Sequence, residues 1–222
     1  MIINSILIFL FLVFLNIFQK KFNILCHDNS LSLHKKIGSN KIPLSGGIYF
    51  YIIILIFSLL NFFSFFNFGF EFLVALTFFL ILGLTIDSGY EIKPKLRLLI
   101  QIIIVLLFLI KTDLFVNYTK IFFLDFLLKN KFFSFIFTTF CIVILINGVN
   151  FIDGVNGNSS GYLFLVFLFF LYLLDSYKFI SNFTDFKFLI LYILFFFIFN
   201  LLDKNYLGEC GNYILGFTIA IF

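Results

Sequence analysis

Charge is what this sequence has least of. Only 12% of the 222 residues are Asp, Glu, Lys or Arg, 63% are hydrophobic and the mean hydropathy is +1.16, which excludes water as the solvent for most of the surface. The chain reads as a membrane protein. The three cysteines, Cys26, Cys141 and Cys210, are odd in number and lack C-x-x-C spacing, so neither a disulfide framework nor a zinc site is indicated. Tryptophan is absent. Interfacial belts draw on Trp and Tyr, so the 41 phenylalanines carry no functional message. No positive charge precedes the first apolar run and no small-residue cleavage site ends it, which argues against a secretory signal. Ionisable residues are nearly missing from the middle of the apolar runs, and that counts against a transporter. The net charge of +4 comes from lysines in short loops beside apolar runs, a topology signal rather than a sign of nucleic acid.

What is present is a succession of apolar runs. Each approaches the roughly 17–25 residues that carry a helix across about 30 Å of hydrocarbon. They fall near Ile2–Phe18, Gly47–Phe66, Glu71–Ile86, Leu96–Ile110, Phe132–Ile146, Gly161–Leu174 and Phe186–Leu202, with a further one begun near Asn212. The fold class is therefore all-α: one polytopic transmembrane helix bundle over residues 1–222, with about seven full spans and part of an eighth. Lys20 and Lys21 follow the first run, so the positive-inside rule sets the N-terminus outside. Gln19–Gly46, Asp87–Lys95, Asn147–Ser160 and Asp203–Gly211 then become cytoplasmic loops. The stretches near Asn67, Lys111–Lys131 and Asp175–Asp185 face outward. Ser39 and Ser159 should be reachable from the cytoplasm and Ser176 from outside. Phe122–Leu128, broken by Asp125, is too short to span and reads as an interfacial piece.

Every cytoplasmic loop holds a polar cluster: HKKIGSNKIPLSGG (His34–Gly47), IDSGYEIKPKLRLLIQ (Ile86–Gln101), NGVNFIDGVNG (Asn147–Gly157) and YLGECGNYILGF (Tyr206–Phe217). The external loops have nothing comparable. Carboxylates at helix ends, gathered on one membrane face beside glycines that admit a ligand to the backbone, suit Mg²⁺ and phosphate. The stretch INGVNFIDGVNGNSSG reads accordingly as a cytoplasmic active-site loop.

In order and spacing these clusters resemble the polyprenyl-phosphate N-acetylhexosamine-1-phosphate transferases, a group that includes phospho-N-acetylmuramoyl-pentapeptide translocase and is also known as glycosyltransferase family 4. Asn147, Asn150, Asp153, Gly154 and Gly157 match its N-A-x-N-x-x-D-G-x-D-G pattern. His34, Lys35, Pro43, Gly46 and Gly47 resemble its H-K-x-P-x-P-x-x-G-G loop, and Asp87 through Arg97 its D-D-x-x-x-L-S-P-K-x-R run. Gly208, Glu209, Gly211 and Asn212 resemble G-D-x-G-S. The resemblance implies Mg²⁺-dependent transfer of a sugar-1-phosphate from a UDP-sugar to a polyprenyl (undecaprenyl) phosphate at the cytoplasmic face of the inner (plasma) membrane. It makes Asp87 and Asp153 the catalytic carboxylates and metal ligands. Lys35, Lys36, Lys95, Arg97, Asn147, Asn150, Asn156 and Glu209 become the substrate-binding set. A homodimer is a further partner it allows. Elementary chemistry asks for the same groups, because a pyrophosphate and a lipid phosphate repel until cations and basic side chains hold them in line.

The departures are specific. Ser88 stands for the second aspartate of the family's pair, Asn156 for a later aspartate and Glu209 for another. The family has ten or eleven spans and a later histidine-rich loop, for which His27 and His34 cannot substitute, so this sequence is expected to be C-terminally truncated relative to it. An inactive or split part of such an enzyme, structural only, and a small transporter stay open as alternatives.

Overall fold

Apolar runs with no water at hand must satisfy their backbone hydrogen bonds internally, and a helix does so within one segment. The computed structural model describes residues 2–28, 41–59, 69–154, 156–176 and 184–221. Helices make up 80% of these residues, so the fold is all-α. In chain order the elements are α1 (Ile2–Phe22), β1 (Cys26–Asp28), β2 (Lys41–Pro43), α2 (Gly46–Leu59), α3 (Gly69–Asp87), α4 (Pro94–Thr112), α5 (Phe122–Leu128), α6 (Lys131–Ile152), α7 (Asn158–Ser176), α8 (Thr184–Leu201) and α9 (Gly208–Ile221). Two of them, α3 and α6, are long and apolar enough to cross a membrane. The apolar stretches Gly46–Ser58, Asn158–Leu173 and Lys187–Leu201 are shorter, and α4 carries Lys95, Arg97 and Lys111.

The last of these helices is the hub. Every residue of α9 from Cys210 to Ile219 is buried, and α2, α3 and α6 pack around it. Small residues allow that approach, as in membrane helix pairs generally. Gly47 and Gly83 face Cys210, and a Cβ on Gly216 would meet the Ile146 Cα at 2.9 Å. Phe217 fills the other side, its ring centroid 5.5, 5.1 and 5.2 Å from those of Phe72, Phe79 and Phe108. Outside this core, α7 pairs with α8, and α1 lies on α8 through Phe9, which meets Phe195 and Phe199 edge-on.

Helix ends follow ordinary rules. Pro94 opens α4, where its missing N–H costs nothing, and the Asn130 side chain accepts the Phe132 N–H (3.0 Å) to cap α6. The seven-residue α5 is the short piece expected inside Lys111–Lys131; Asp125 accepts from the Thr119 N–H and hydroxyl at 2.6 and 2.8 Å.

Three features depart from the sequence reading. An antiparallel pair joins β1 and β2, with His27 opposite Ile42, and ties the end of α1 to the start of α2. Asn147–Ser160, expected as a loop, is mostly helical: α6 runs on to Ile152 and α7 begins at Asn158. Likewise α9 begins at Gly208, inside the expected Asp203–Gly211 loop. Asn is a poor helix former because its side chain competes for the backbone; here the amides of Asn147 and Asn150 are engaged by Gln101 and Glu209, which leaves the helical ladder intact.

Candidate active site

The polar groups converge where α3 and α6 end and α4, α7 and α9 begin. A continuous chain of side chains crosses this end of the bundle. Arg97 Nη1 lies 3.4 Å from Glu209 Oε1, and Asn150 Nδ2 donates to Glu209 Oε2 (2.8 Å). Asn212 Nδ2 donates to both Asn150 Oδ1 (3.1 Å) and Asp153 Oδ2 (2.7 Å). The Ser159 hydroxyl donates to Asn212 Oδ1 (2.9 Å), so the amide of this fully buried asparagine is held from both ends. Nearby, Asn147 Nδ2 donates to Gln101 Oε1 (2.6 Å) and to the Val143 carbonyl (2.8 Å).

Asp87 closes the arrangement from the far side. Its two oxygens accept the backbone N–H groups of Glu209 (2.9 Å) and Cys210 (3.1 Å), which are donors left unpaired by the first turn of α9. A carboxylate there also meets the positive end of the helix dipole. The turn before it needs Gly208, whose φ is +73°, and a Cβ at that position would stand 2.7 Å from Asp87 Oδ2. Glycine therefore lets one carboxylate fix the direction in which Glu209 and Asn212 enter the cluster.

The profile of Glycosyl transferase family 4 matches residues 70–222, more than half of the sequence and all of this cluster. The chain belongs to that family. No curated protein matches it. Membership supports a polyprenyl-phosphate sugar-phosphate transferase role in general, with membrane association.

Within this family 4 chain, the structure brings together Asp87, Arg97, Asn147, Asn150, Asp153 and Glu209 of the residues expected from the sequence. Lys95 is exposed on the first turn of α4. Asn156 stands apart from the cluster's hydrogen bonds and donates instead to Asp203 Oδ1. Lys35 and Lys36, with His34 and Ser39, lie outside the described residues. Sequence reasoning gave no role to Asn212, Ser159 or Gln101. Asn212 carried a signal, as the last position of the GECGN run; Ser159 was expected on an open loop and is instead fully buried, because its hydroxyl is needed by Asn212.

Burial is the main influence on Asp153, raising its pKa to about 6; the Asn212 hydrogen bond lowers it and the Glu209 charge raises it. Such a carboxylate gains from a cation. Among the described residues, no three His, Cys, Asp or Glu side chains gather as a metal cage. Mg²⁺ needs none, since one or two carboxylates with waters and substrate phosphates commonly hold it. Asp153 fits that part: one oxygen is oriented by Asn212, and Oδ1 has no hydrogen-bond partner among the described residues.

Proposed function

We propose that this cluster transfers a sugar-1-phosphate from a UDP-sugar to polyprenyl phosphate with Mg²⁺ at the cytoplasmic face. The observation that carries the reading is the unbroken chain Arg97–Glu209–Asn150–Asn212–Asp153 across one end of the bundle, within the span the family profile matches. An oxygen of the lipid phosphate attacks the phosphorus that bears the sugar, and the bond from that phosphorus to the bridging oxygen breaks. UMP leaves with the bridging oxygen. Mg²⁺, held by Asp153, would offset the charge of the phosphates.

The protein's own groups do the rest. Arg97 spends its Nε hydrogen on the Ile92 carbonyl (2.8 Å) and meets Glu209 through Nη1, which keeps the guanidinium plane fixed while its remaining donors stay available to a phosphate. Asn150 and Asn212 keep two carboxylates apart yet oriented. Asp87 acts on α9 as a positioning residue and retains lone pairs that a shared cation could use. Asn147, braced by Gln101, offers its amide oxygen to the nucleotide or sugar.

The test is UMP release from a panel of UDP-sugars, with polyprenyl phosphate and Mg²⁺, in membranes carrying the full chain. Asp153→Asn should lower activity by at least about a hundredfold, roughly 2.7 kcal/mol of transition-state stabilisation. Asp113→Asn, whose carboxylate pairs with Lys131 on an exposed surface, should stay near wild type. Full activity in Asp153→Asn would remove the centre of the assignment. Topology is tested separately with cysteines at exposed Asn158 and Tyr118. An impermeant thiol reagent should reach the first only from the cytoplasm and the second only from outside; labelling of both from one side would overturn the span count.

A further inference from the structure

Between α1 and α8, away from the catalytic cluster, lies a cavity of about 260 Å³ lined by Val13, Asn16, Ile17, Lys20, Phe199, Leu202 and Lys204. Its floor contains an oddity. Asn16 is 6% exposed, and among the described residues neither its amide nitrogen nor its carbonyl oxygen has a hydrogen-bond partner. A buried amide without partners is costly, and native proteins rarely keep one without a ligand, ion or water for it. The volume far exceeds the ~30 Å³ of a single water. The walls are hydrocarbon, and Ile17 and Leu202, each 60% exposed, open it sideways toward the surroundings of the bundle.

Two cations mark the mouth. Lys20 lies in the last turn of α1 and Lys204 in the turn that ends α8. The neighbouring charges are turned elsewhere: Lys21 sits over the Phe22 ring at 5.9 Å, and Asp203 accepts from Asn156. Lysines near helix C-termini are ordinary partners of the helix dipole. That role accounts for neither the cavity nor the stranded amide. Apolar walls, a polar seat and a paired cationic rim at one end of a membrane bundle match a single chemistry, a phosphate attached to a hydrocarbon chain.

We infer that this pocket holds an anionic phospholipid, its phosphate between Lys20 and Lys204, the Asn16 amide donating to a headgroup or ester oxygen, and its first chain carbons along Ile17 and Leu202. The site is built half from α1, which lies outside the span matched by the family profile. It binds α1 to α8 as a lipid strap and is independent of the transferase reading.

Detergent-solubilised full-length protein, exchanged into phosphatidylglycerol or phosphatidylcholine micelles, tests this by native mass spectrometry and thermal unfolding. Phosphatidylglycerol should be retained and should raise the unfolding temperature, whereas phosphatidylcholine should do neither. The double variant Lys20→Ala, Lys204→Ala should weaken phosphatidylglycerol binding about thirtyfold, which is about 2 kcal/mol. Asn16→Leu satisfies the floor with hydrocarbon. It should be at least as stable as wild type without lipid yet lose the gain from phosphatidylglycerol, which separates loss of the site from loss of the fold. Equal retention of both lipids, or unchanged retention in both variants, would overturn the inference. So would preferential retention of a polyprenyl phosphate lost in the same variants, since the pocket would then belong to the acceptor path.

Discussion

Removing the Asn212 side chain cuts three hydrogen bonds at once, to Asp153 Oδ2, Asn150 Oδ1 and the Ser159 hydroxyl. A bond to a carboxylate contributes about 1.5–3 kcal/mol and a neutral one about 0.5–1.5 kcal/mol. Ser159 recovers part of its loss, because its hydroxyl also reaches the Val149 carbonyl at 3.5 Å. Asn212→Ala should therefore lower the unfolding free energy in mixed micelles by about 3 kcal/mol. The decisive measurement is a double-mutant cycle with Asp153→Ala, which isolates the pair. Its coupling should fall at about 1–3 kcal/mol, since the two side chains touch. Function supplies a second readout that a purely structural role would leave alone: the Mg²⁺ concentration for half-maximal UMP release should rise about tenfold, equivalent to about 1.4 kcal/mol. A loss below about 0.5 kcal/mol in Asn212→Ala, or a coupling near zero, would show that this amide does not orient Asp153.

Gly208→Ala should be worse than its size suggests. The left-handed backbone costs about 1–2 kcal/mol for an L residue, and the added carbon displaces the Asp87 carboxylate that holds the start of α9; wild-type stability in this variant would refute the close approach. The raised Asp153 value has a definite sign. The folded chain holds that proton more tightly than the unfolded one between the ordinary value of 3.8 and about 6, so in metal-free buffer stability should fall as pH rises through that window. Burial also raises Asp87 to about 6, so calorimetry at stepped pH should show the full slope in wild type and a shallower one in Asp153→Asn. An identical slope in both would refute the assignment.

Hydropathy alone located the helical segments. The expected runs overlap α1, α2, α3, α4, α6, α7, α8 and the start of α9, with residues 60–66 of the second run outside the described residues, because a 3.6-residue spiral is the way an apolar segment satisfies its backbone without water. Chemistry-bearing residue types at helix ends were legible for the same reason: Asp87, Asn150, Asp153 and Glu209 are polar groups in an apolar text. What was not legible depended on partners far along the chain. Nothing local in NGVNFI reveals that Asn147 and Asn150 stay helical, since the groups that engage them, Gln101 and Glu209, lie 46 and 59 residues away. Ser159 looked like a loop hydroxyl until Asn212 claimed it. The β1–β2 pair was hidden in a segment too short for any period to show.

The hub position of α9 has a consequence for how the chain is made. Synthesis delivers α2, α3 and α6 before Gly208–Ile221 exists, so the helices that will surround it must wait with Gly47, Gly83 and Ile146 uncovered. Asn150 and Asp153 wait too, without the amide that later binds them. Polar groups stranded at the end of a membrane helix keep water or a folding factor close to them. The arrival of α9 then fills the space between α2, α3 and α6 and brings Glu209 and Asn212 to Asn150 and Asp153 in one event, so a chain without α9 lacks the joined polar cluster and is a ready target for quality control.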